Sequence, residues 1–223
     1  MRLPAADRDL VTAAVTRAEA LSDGEIVTVV SARSDGYRDV TLHWAVLAML
    51  GVLALLAWRP GLADPLVALF AEPWDPATPT GAMLVSALVL EVIAFLLVRG
   101  LLGVEAVRMA LTPGATKARR VRRRARDLFS VGAEQRTRAG TGVLLYLSLA
   151  ERRAEIVAEH GIHARVAPEA WGEAMAALLA GVRDGRAGEG VAAAVERIGA
   201  VLAEHFPRSA DDTNELPDRL IEL

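Results

Sequence analysis

The sequence predicts an α/β domain that is interrupted by an inserted pair of transmembrane helices. Three observations predict this class. Two long apolar stretches lie in the middle of the chain, at residues 42–58 and 82–104. The pattern indicates a helix and a strand before them, and a second run of helices and strands after them. The two outer parts therefore belong to one domain that the apolar stretches divide.

The predicted boundaries follow from this division. The first part of the domain is 1–40, the hairpin is 41–104, the second part of the domain is 105–206, and a polar tail occupies 207–223. A chain of 223 residues has room for one domain of ordinary size or for two. It contains no Cys, which excludes disulfides, thiolate metal sites and Cys nucleophiles.

The first part of the domain consists of one helix and one strand. Leu10, Ala14 and Leu21 recur at helical spacing within residues 5–21. A Ser-Asp-Gly turn follows, and the β-branched run 25–30 predicts a strand. A unit this small cannot bury a core alone, so we expect it to pack against elements that follow the hairpin.

The two apolar stretches are predicted to cross a membrane. A transmembrane helix needs about 20 mostly apolar residues, with roughly 17 as the lower limit. The stretch 42–58 carries no formal charge, and Trp44 and Trp58 bracket it as interfacial aromatic residues do. A pair of buried core helices is the alternative, but neither 42–58 nor 82–104 has a polar face to present to water.

Charge sets the expected orientation. The link 60–80 contains three acids and no Lys or Arg, whereas 105–139 contains ten basic residues and three acids. Basic segments stay on the cytoplasmic side. We therefore expect two spans in the inner membrane, with both termini cytoplasmic and the link outside. The apolar run 62–71 within the link is too short to span and is expected at the outer interface.

The second stretch contains two charged residues. Arg99 lies near its cytoplasmic end, where a long side chain can reach the headgroups. Glu91 lies near mid-membrane, where an ionised carboxylate is costly and indicates a functional site. The alternative is a protonated Glu91 that is hydrogen-bonded to the first helix or to a second copy. We favour this alternative because two helices offer few partners for an ion pathway.

The second part of the domain alternates helices and strands. A very basic helix is predicted at 116–129, and the apolar run 143–149 predicts a buried central strand. After a polar turn, 154–159 can return as an antiparallel strand. A helix begins near residue 167, with Pro in its first turn, and a final helix occupies 188–206.

These segments, taken in order, resemble the TPM domain family. The matching segments are Gly24–Val30, Thr141–Leu149, Glu151–Val157, Gly161 with Ile162, Trp171, and Gly185–Val191. The chain is most similar to bacterial membrane members in which a two-helix hairpin interrupts the domain after its first strand. The resemblance implies a three-layer α/β fold with a short mixed sheet.

The resemblance also implies phosphatase activity and metal binding, but this chain lacks one of the acids in the family's pattern. Some family members are acid phosphatases, and some bind divalent metal through clustered aspartates. A typical member has an acid shortly after the Gly-Ile pair, where this chain reads Val166, Ala167, Pro168. Glu169 is close by but suits the first turn of a helix. We therefore assign no catalytic residue and no metal ligand, and we expect no cofactor. Ca²⁺ or Mg²⁺ enters only under the phosphatase alternative.

One predicted polar cluster combines residues from different strands. Glu25 begins the first strand, and Arg152 and Arg153 precede the third. They can pair across the sheet as a salt bridge, or less favourably form a phosphate pocket. His160 and His163 are spaced three residues apart around a glycine, which suits an exposed turn better than a zinc site.

The strongest charge signal is a cluster of six arginines in the basic helix. Its members are Arg119, Arg120, Arg122, Arg123, Arg124 and Arg126. A cluster of this size beside a transmembrane helix predicts contact with anionic lipid headgroups. Nucleic acid is the rival partner, but no stacking aromatics are interleaved with the arginines, and the chain from residue 140 onward is acidic.

Two function classes remain. The first is a membrane-anchored, non-catalytic module that serves interaction, assembly or maintenance of a membrane complex at the cytoplasmic face. Its partners are the bilayer, anionic headgroups and an unidentified membrane protein. The second is a metal-dependent, acid phosphatase-like enzyme, which rests on the family resemblance alone. The polar tail is either disordered or docks onto a partner or its own domain. The sequence predicts no oligomeric state.

Overall fold

The structure is a computed structural model. It describes residues 3–71, 79–132, 140–210 and 216–223. The chain divides into a domain unit, Met1–Asp35 with Gly114–Leu223, and a hairpin unit, Gly36–Pro113. The predicted acidic run Asp211 to Asn214 of the tail lies outside the described residues.

Helices and strands alternate in the domain unit, and the hairpin unit is helical. The strands are β1 (Glu25–Ser31), β2 (Gly142–Ser148), β3 (Arg153–Ala158) and β4 (Ile221–Glu222). The helices are α1 (Ala5–Glu19), α2 (Arg38–Trp58), α3 (Asp64–Phe70), α4 (Pro79–Leu101), α5 (Glu105–Leu111), α6 (Gly114–Gly132), α7 (His160–His163), α8 (Gly172–Arg183) and α9 (Ala187–His205). Single 3-10 turns occupy Pro60–Ala63 and Pro168–Trp171.

The domain unit is built on one mixed sheet. Its strand order is β3-β2-β1-β4, with β1 parallel to β2 and β4, and β2 antiparallel to β3. Every residue of β1 and β2 is buried. This explains the continuous apolar runs in the sequence, because central strands that are covered on both faces do not alternate with polar residues. The predicted α/β class with a short mixed sheet is confirmed.

Helices cover both faces of the sheet and form three layers. On one face, α1, α8 and α9 pack over Ile26, Val30 and Leu145. On the other face, α6 packs Val121, Ala125 and Phe129 against the sheet residues Val27, Val29, Leu144 and Tyr146. Successive strand residues point to opposite faces, so each strand supplies both cores.

Two glycines set the packing of α8 against α9. A Cβ on Gly181 would lie 2.5 Å from the Gly190 Cα, a distance that no side chain tolerates. The turn between the helices uses Gly185, whose φ of +75° lies in the left-handed region. Hydrogen bonds from Arg186 to Asp184 and Glu189 raise the pKa of Arg186, so its guanidinium remains protonated.

The described end of the tail belongs to the domain unit. Leu216 and Leu220 are buried, and Ile221 and Glu222 add an edge strand beside β1. The Leu3 backbone N–H donates to Glu222 at 2.7 Å, which links the two ends of the domain unit. The predicted polar tail therefore docks, in its last residues, onto its own domain.

The hairpin unit consists of two long apolar helices and shorter ones. The first predicted span, 42–58, is four residues longer at its start, because α2 begins at Arg38. The second predicted span, 82–104, is shifted, because α4 runs from Pro79 to Leu101 and a turn follows it. The first turn of α2 contains the charged residues Arg38 and Asp39. An apolar pattern does not detect such a turn, so the predicted span begins too late. Both helices are long and apolar enough to cross a membrane.

Candidate interaction groove

A groove runs along the outer edge of β3 in the domain unit. Its larger part has a volume of about 710 Å³ and is lined by α6, the β2–β3 turn, β3 and α8. Its smaller part, of about 310 Å³, continues towards the end of β3 and the turn Pro168–Trp171. The two parts share Arg122, Glu155 and Met175, so they form one continuous groove.

The floor of the groove is a strand edge. Within the ranges that the structure describes, β3 pairs only with β2. The Glu159 N–H donates to the Gly142 carbonyl at 2.9 Å, and hydrogen-bonded pairs alternate with non-bonded pairs along an antiparallel ladder. This alternation directs the backbone N–H and C=O groups of Ala154, Ile156 and Ala158 away from β2. The edge can therefore pair with a further strand.

Cations outnumber acids in the lining of the groove. The charged lining residues are Arg119, Arg122, Arg152, Arg153, Arg183, Glu151 and Glu155. Arg122 Nε lies 2.8 Å from Glu155 Oε1, and Glu151 accepts a hydrogen bond from the Ser34 N–H at 2.9 Å. In the described part of the chain, the other four arginines form no ion pair. The groove therefore favours anionic groups.

One wall of the groove is apolar. Helix α8 contributes Met175, Leu179 and Val182, and Trp171 precedes it. Met side chains adapt their shape to irregular partners, and Trp171 is 8% exposed at the narrower end. The groove therefore combines a backbone edge, cationic groups and apolar surface, which together suit an extended segment with apolar and acidic residues.

A polar cluster fixes the groove end at the β2–β3 turn. The Ser148 hydroxyl donates to Glu151, and Ser34 Oγ lies 3.0 Å from the Tyr146 hydroxyl. Arg152, in the same turn, has a φ of +49°, which lies in the left-handed region. Ser148 is fully buried, so its hydroxyl cannot reach a substrate and acts as a support for the turn.

The elements that form the groove carry the match to a known family. The family model of the TPM domain matches residues 106–201. This range includes α6, β2, β3 and α8. The part of the chain that carries the groove is therefore similar to a TPM domain. Its three layers and mixed sheet agree with the fold that the sequence resemblance implied.

A solved structure has a similar fold. It is the NMR structure of the BA42 protein from the psychrophilic bacterium Bizionia argentinensis, and its TM-score with this chain is 0.57. The two chains are 17% identical, and the comparison covers 100% of this chain and 97% of the other. At this identity the likeness concerns the fold alone. No curated protein matches this chain.

The structure does not bring the predicted Glu25 cluster together. Glu25 begins β1, whereas Arg153 pairs with Ser148 at the opposite end of the parallel pair β1 and β2. Six residue steps separate these ends, about 20 Å along the strands. Glu25 instead accepts a hydrogen bond from the Leu216 N–H at 3.1 Å. Arg152 and Arg153 line the groove without Glu25.

The six arginines of α6 divide into three groups. Arg119 and Arg122 line the groove, and Arg120 pairs with Asp35. The remaining three are exposed, and they are Arg123, Arg124 and Arg126. Contact of the cluster with anionic headgroups therefore stays a prediction that now applies most directly to these three side chains.

Of the other singled-out residues, His163 lines the smaller part of the groove, whereas Glu91 and His160 do not line it. Glu91 is half-buried in α4, and among the described residues its Oε1 has no hydrogen-bond partner. His160 and His163 are exposed, as predicted, but they lie on a four-residue helix instead of an open turn. In the described ranges, no three His, Cys, Asp or Glu side chains are grouped to hold a metal ion.

The groove itself is not predicted by the sequence. Its α8 wall, which carries Met175 and Arg183, is predicted only as part of a helix that begins near residue 167. The signal was present in β3, where Arg153 and Glu155 alternate with Ala154 and Ile156 in an edge strand. Edge position depends on the strand order, and a single sequence with an inserted hairpin does not give that order.

Proposed function

We propose that this protein is a membrane-anchored interaction module without catalytic activity. The hairpin crosses the inner membrane twice, and the TPM-like domain lies at its cytoplasmic face. The observation that carries the proposal is the exposure of apolar side chains along the hairpin, since only 11% of each spanning window is buried. Helices this apolar avoid water by entering a bilayer or by associating with other chains.

Dimensions and charge support the membrane crossing. Helix α2 has 21 residues and α4 has 23. At about 1.5 Å per residue, each helix matches a hydrocarbon core of roughly 30 Å. The arginine-rich α6 follows the hairpin in sequence, and residues 60–80 of the link contain three acids and no Lys or Arg. The positive-inside rule then gives cytoplasmic termini.

The partner of the groove in this proposal is an extended acidic segment of a membrane protein. It pairs with β3 as an added strand, and its backbone meets the groups of Ala154, Ile156 and Ala158. Its apolar side chains meet the apolar wall of α8. Its acidic side chains meet the arginines that line the groove, which are Arg119, Arg122, Arg152, Arg153 and Arg183. Strand addition gives affinity through the backbone and specificity through alternate side chains.

Labelled peptides test the groove in the full-length protein. A peptide that alternates Val with Glu and spans the six residues of β3 is expected to bind. Arg183→Glu reverses one charge in the groove and weakens binding by about tenfold. Arg124→Glu is the matched control, because it reverses an exposed charge of α6 outside the groove. Fluorescence anisotropy measures the affinities.

Two further peptides separate the alternatives. Alternate N-methylation of the acidic peptide removes its backbone donors, and strand addition predicts loss of binding. A Val-Lys peptide has the same length and apolar content with reversed charge. Equal affinity for the Val-Lys peptide, or equal effects of Arg183→Glu and Arg124→Glu, would contradict the proposed partner.

The exposed arginines of α6 are proposed to contact anionic headgroups. The chain has no Cys, so Ser130→Cys gives a unique labelling site on the exposed end of α6. An environment-sensitive dye there is expected to shift to shorter wavelength in anionic nanodiscs, and added salt should reverse the shift. Equal emission in anionic and zwitterionic nanodiscs would exclude the contact.

The phosphatase alternative has no supporting observation among the described side chains. Metal-assisted phosphoester hydrolysis needs several carboxylates around one ion. Hydrolysis of a generic phosphomonoester, measured with and without Mg²⁺ or Ca²⁺, tests the alternative directly. Metal-dependent turnover that is lost in Glu169→Ala or Glu25→Ala would replace the non-catalytic proposal.

A further inference from the structure

The hairpin unit contains a second cavity, separate from the groove. It has a volume of about 580 Å³ and lies among α2, the end of α4 and α5. Its lining consists of Arg38, Thr41, Leu42, Ala45, Phe95, Arg99, Leu102, Gly103 and Arg108. Three of these residues are arginines and none is an acid. An electropositive cavity of this kind attracts an anion.

The three arginines have no acidic partner among the described residues. Arg38 and Arg99 are exposed, and Arg108 is half-buried. Arg108 Nη1 donates to the Leu102 carbonyl at 3.0 Å, which fixes the side chain beside the cavity. Its Nε is shielded from water and has no hydrogen-bond partner in the described ranges. A cation that is partly desolvated and incompletely paired is stabilised by a nearby anion.

The cavity changes from polar to apolar along the helices. On α2, Arg38 lies at the first residue and Ala45 lies two turns further in. On α4, Arg99 lies near the last turn and Phe95 lies about 6 Å deeper at 1.5 Å per residue. Positions four or seven residues apart lie on one helix face, so each helix presents a charged end and an apolar interior to the same cavity. This gradient fits an amphiphile with an anionic head.

Helix α5 holds the third arginine against this cavity. The Trp44 Nε1–H donates to the Leu111 carbonyl at 3.3 Å, which joins α2 to the end of α5. The Thr112 hydroxyl donates to the Arg108 carbonyl at 2.7 Å and closes the last turn. The three cations are therefore supplied by three different helices whose positions are fixed within the hairpin unit.

We propose that Arg38, Arg99 and Arg108 bind the phosphate of an anionic phospholipid, with its glycerol and first acyl carbons against Leu42 and Phe95. This inference rests on the proposed membrane crossing, because only then does the charged end of the cavity lie at headgroup level. Arginine suits the role because its planar guanidinium pairs with two phosphate oxygens at once. Basic pockets between helices on the cytoplasmic side bind such headgroups.

A phosphate group can come from a lipid or from a soluble anion. The apolar depth of the cavity favours the lipid, since a free phosphate would leave Leu42, Ala45 and Phe95 without a partner. The two sources are separated by competition. Phosphatidylglycerol is the lipid probe, and inorganic phosphate and glycerol 3-phosphate are the soluble probes.

Native mass spectrometry of the detergent-solubilised full chain measures the binding. One phosphatidylglycerol is expected to bind more tightly than phosphatidylcholine. Arg99→Gln and Arg108→Gln each weaken binding by about five- to tenfold. Arg59→Gln is the matched control, because Arg59 lies at the opposite end of α2, outside the cavity, where its guanidinium stacks on Trp58 at 5.0 Å. Soluble phosphates at the same concentration should not displace the lipid.

Two results would overturn the site. The first is unchanged phosphatidylglycerol affinity in both cavity variants, and the second is displacement of the lipid by soluble phosphate at equal concentration. A carbonate wash of membranes tests the anchor separately. Retention of the protein with no effect of the arginine variants rejects the lipid site alone. Release of wild-type protein from washed membranes rejects the membrane crossing, whatever the titrations give.

Discussion

The domain unit and the hairpin unit differ in the burial of their apolar side chains. In the domain unit, every residue of β1 and β2 is buried. In the hairpin unit, α2 and α4 expose large side chains along their whole length, such as Leu47 at 57% and Leu88 at 64%. The domain unit contains its own apolar core, whereas the described helices of the hairpin unit leave most of their apolar surface exposed. This difference supports the proposed membrane crossing.

Acidic side chains that are shielded from water differ between the two units in their hydrogen bonds. In the domain unit, Glu25 and Glu159 accept backbone N–H groups at the ends of strands, so their burial is compensated. In the hairpin unit, Ser86 Oγ and Glu91 Oε1 are shielded, and among the described residues they have no hydrogen-bond partner. A hydrogen bond from Glu91 to the first helix or to a second copy stays a prediction, and within the described hairpin its Oε1 has no partner.

The largest expected effect comes from a charge at the centre of a span. Leu47→Arg places a guanidinium in the middle of α2 and costs about 3 kcal/mol of membrane insertion. The control Leu10→Arg changes an exposed leucine of α1, which faces water and should tolerate the charge. The fraction of protein retained in carbonate-washed membranes measures both variants. Equal retention of Leu47→Arg and wild type would mean that the hairpin is not in the bilayer.

A smaller effect is expected where the tail completes the domain core. Leu216 is 4% exposed and packs with Phe129 and Tyr146 on the α6 side of the sheet. Leu216→Ala should lower the free energy of unfolding by about 2 kcal/mol, because the cavity near the chain end can partly collapse. Leu223→Ala is the control, since Leu223 is 51% exposed. Chemical denaturation followed by Trp fluorescence measures the difference, and equal stability of the two variants would contradict the docking of the tail.

The smallest effect concerns an unpaired hydroxyl in the central strand. Thr28 is buried, and its Oγ1 has no hydrogen-bond partner in the part of the chain that is described. Thr28→Val keeps the shape and removes the desolvated oxygen, so unfolding should require about 1 kcal/mol more. The denaturation midpoint should rise without a change in slope. A lower midpoint would show that the hydroxyl makes a bond that stabilises the strand.

The sequence predicted the elements whose pattern is local. The buried strand 143–149, the antiparallel return 154–159 and the basic helix 116–129 were recognised because apolar runs and charge runs are visible without tertiary contacts. Each appears in the structure within one to three residues of its predicted bounds. The two long apolar helices of the hairpin were recognised for the same reason, because their composition is visible along the whole of each helix.

The features that were missed depend on the arrangement of strands. Glu25 was paired with Arg152 and Arg153 because nothing local tells which ends of two strands meet. Parallel pairing of β1 with β2 places them at opposite ends. The docking of Leu216 was hidden because the residues before it are polar, and two buried leucines do not make a periodic pattern. The groove is formed by α6, β3 and α8 at the edge of the sheet. Its position depends on how these elements are arranged in space, which no single stretch of the sequence shows.

The central claim is that the hairpin crosses the membrane with the TPM-like domain on the cytoplasmic side. The absence of Cys from the sequence allows single-cysteine labelling without further changes. Thr78→Cys lies in the link between the spans, outside the described residues, and Ser209→Cys lies in the domain unit. In spheroplasts treated with a membrane-impermeant thiol reagent, we expect labelling of Thr78→Cys and protection of Ser209→Cys until the membrane is permeabilised. Labelling of Ser209→Cys with protection of Thr78→Cys in intact spheroplasts would contradict the orientation.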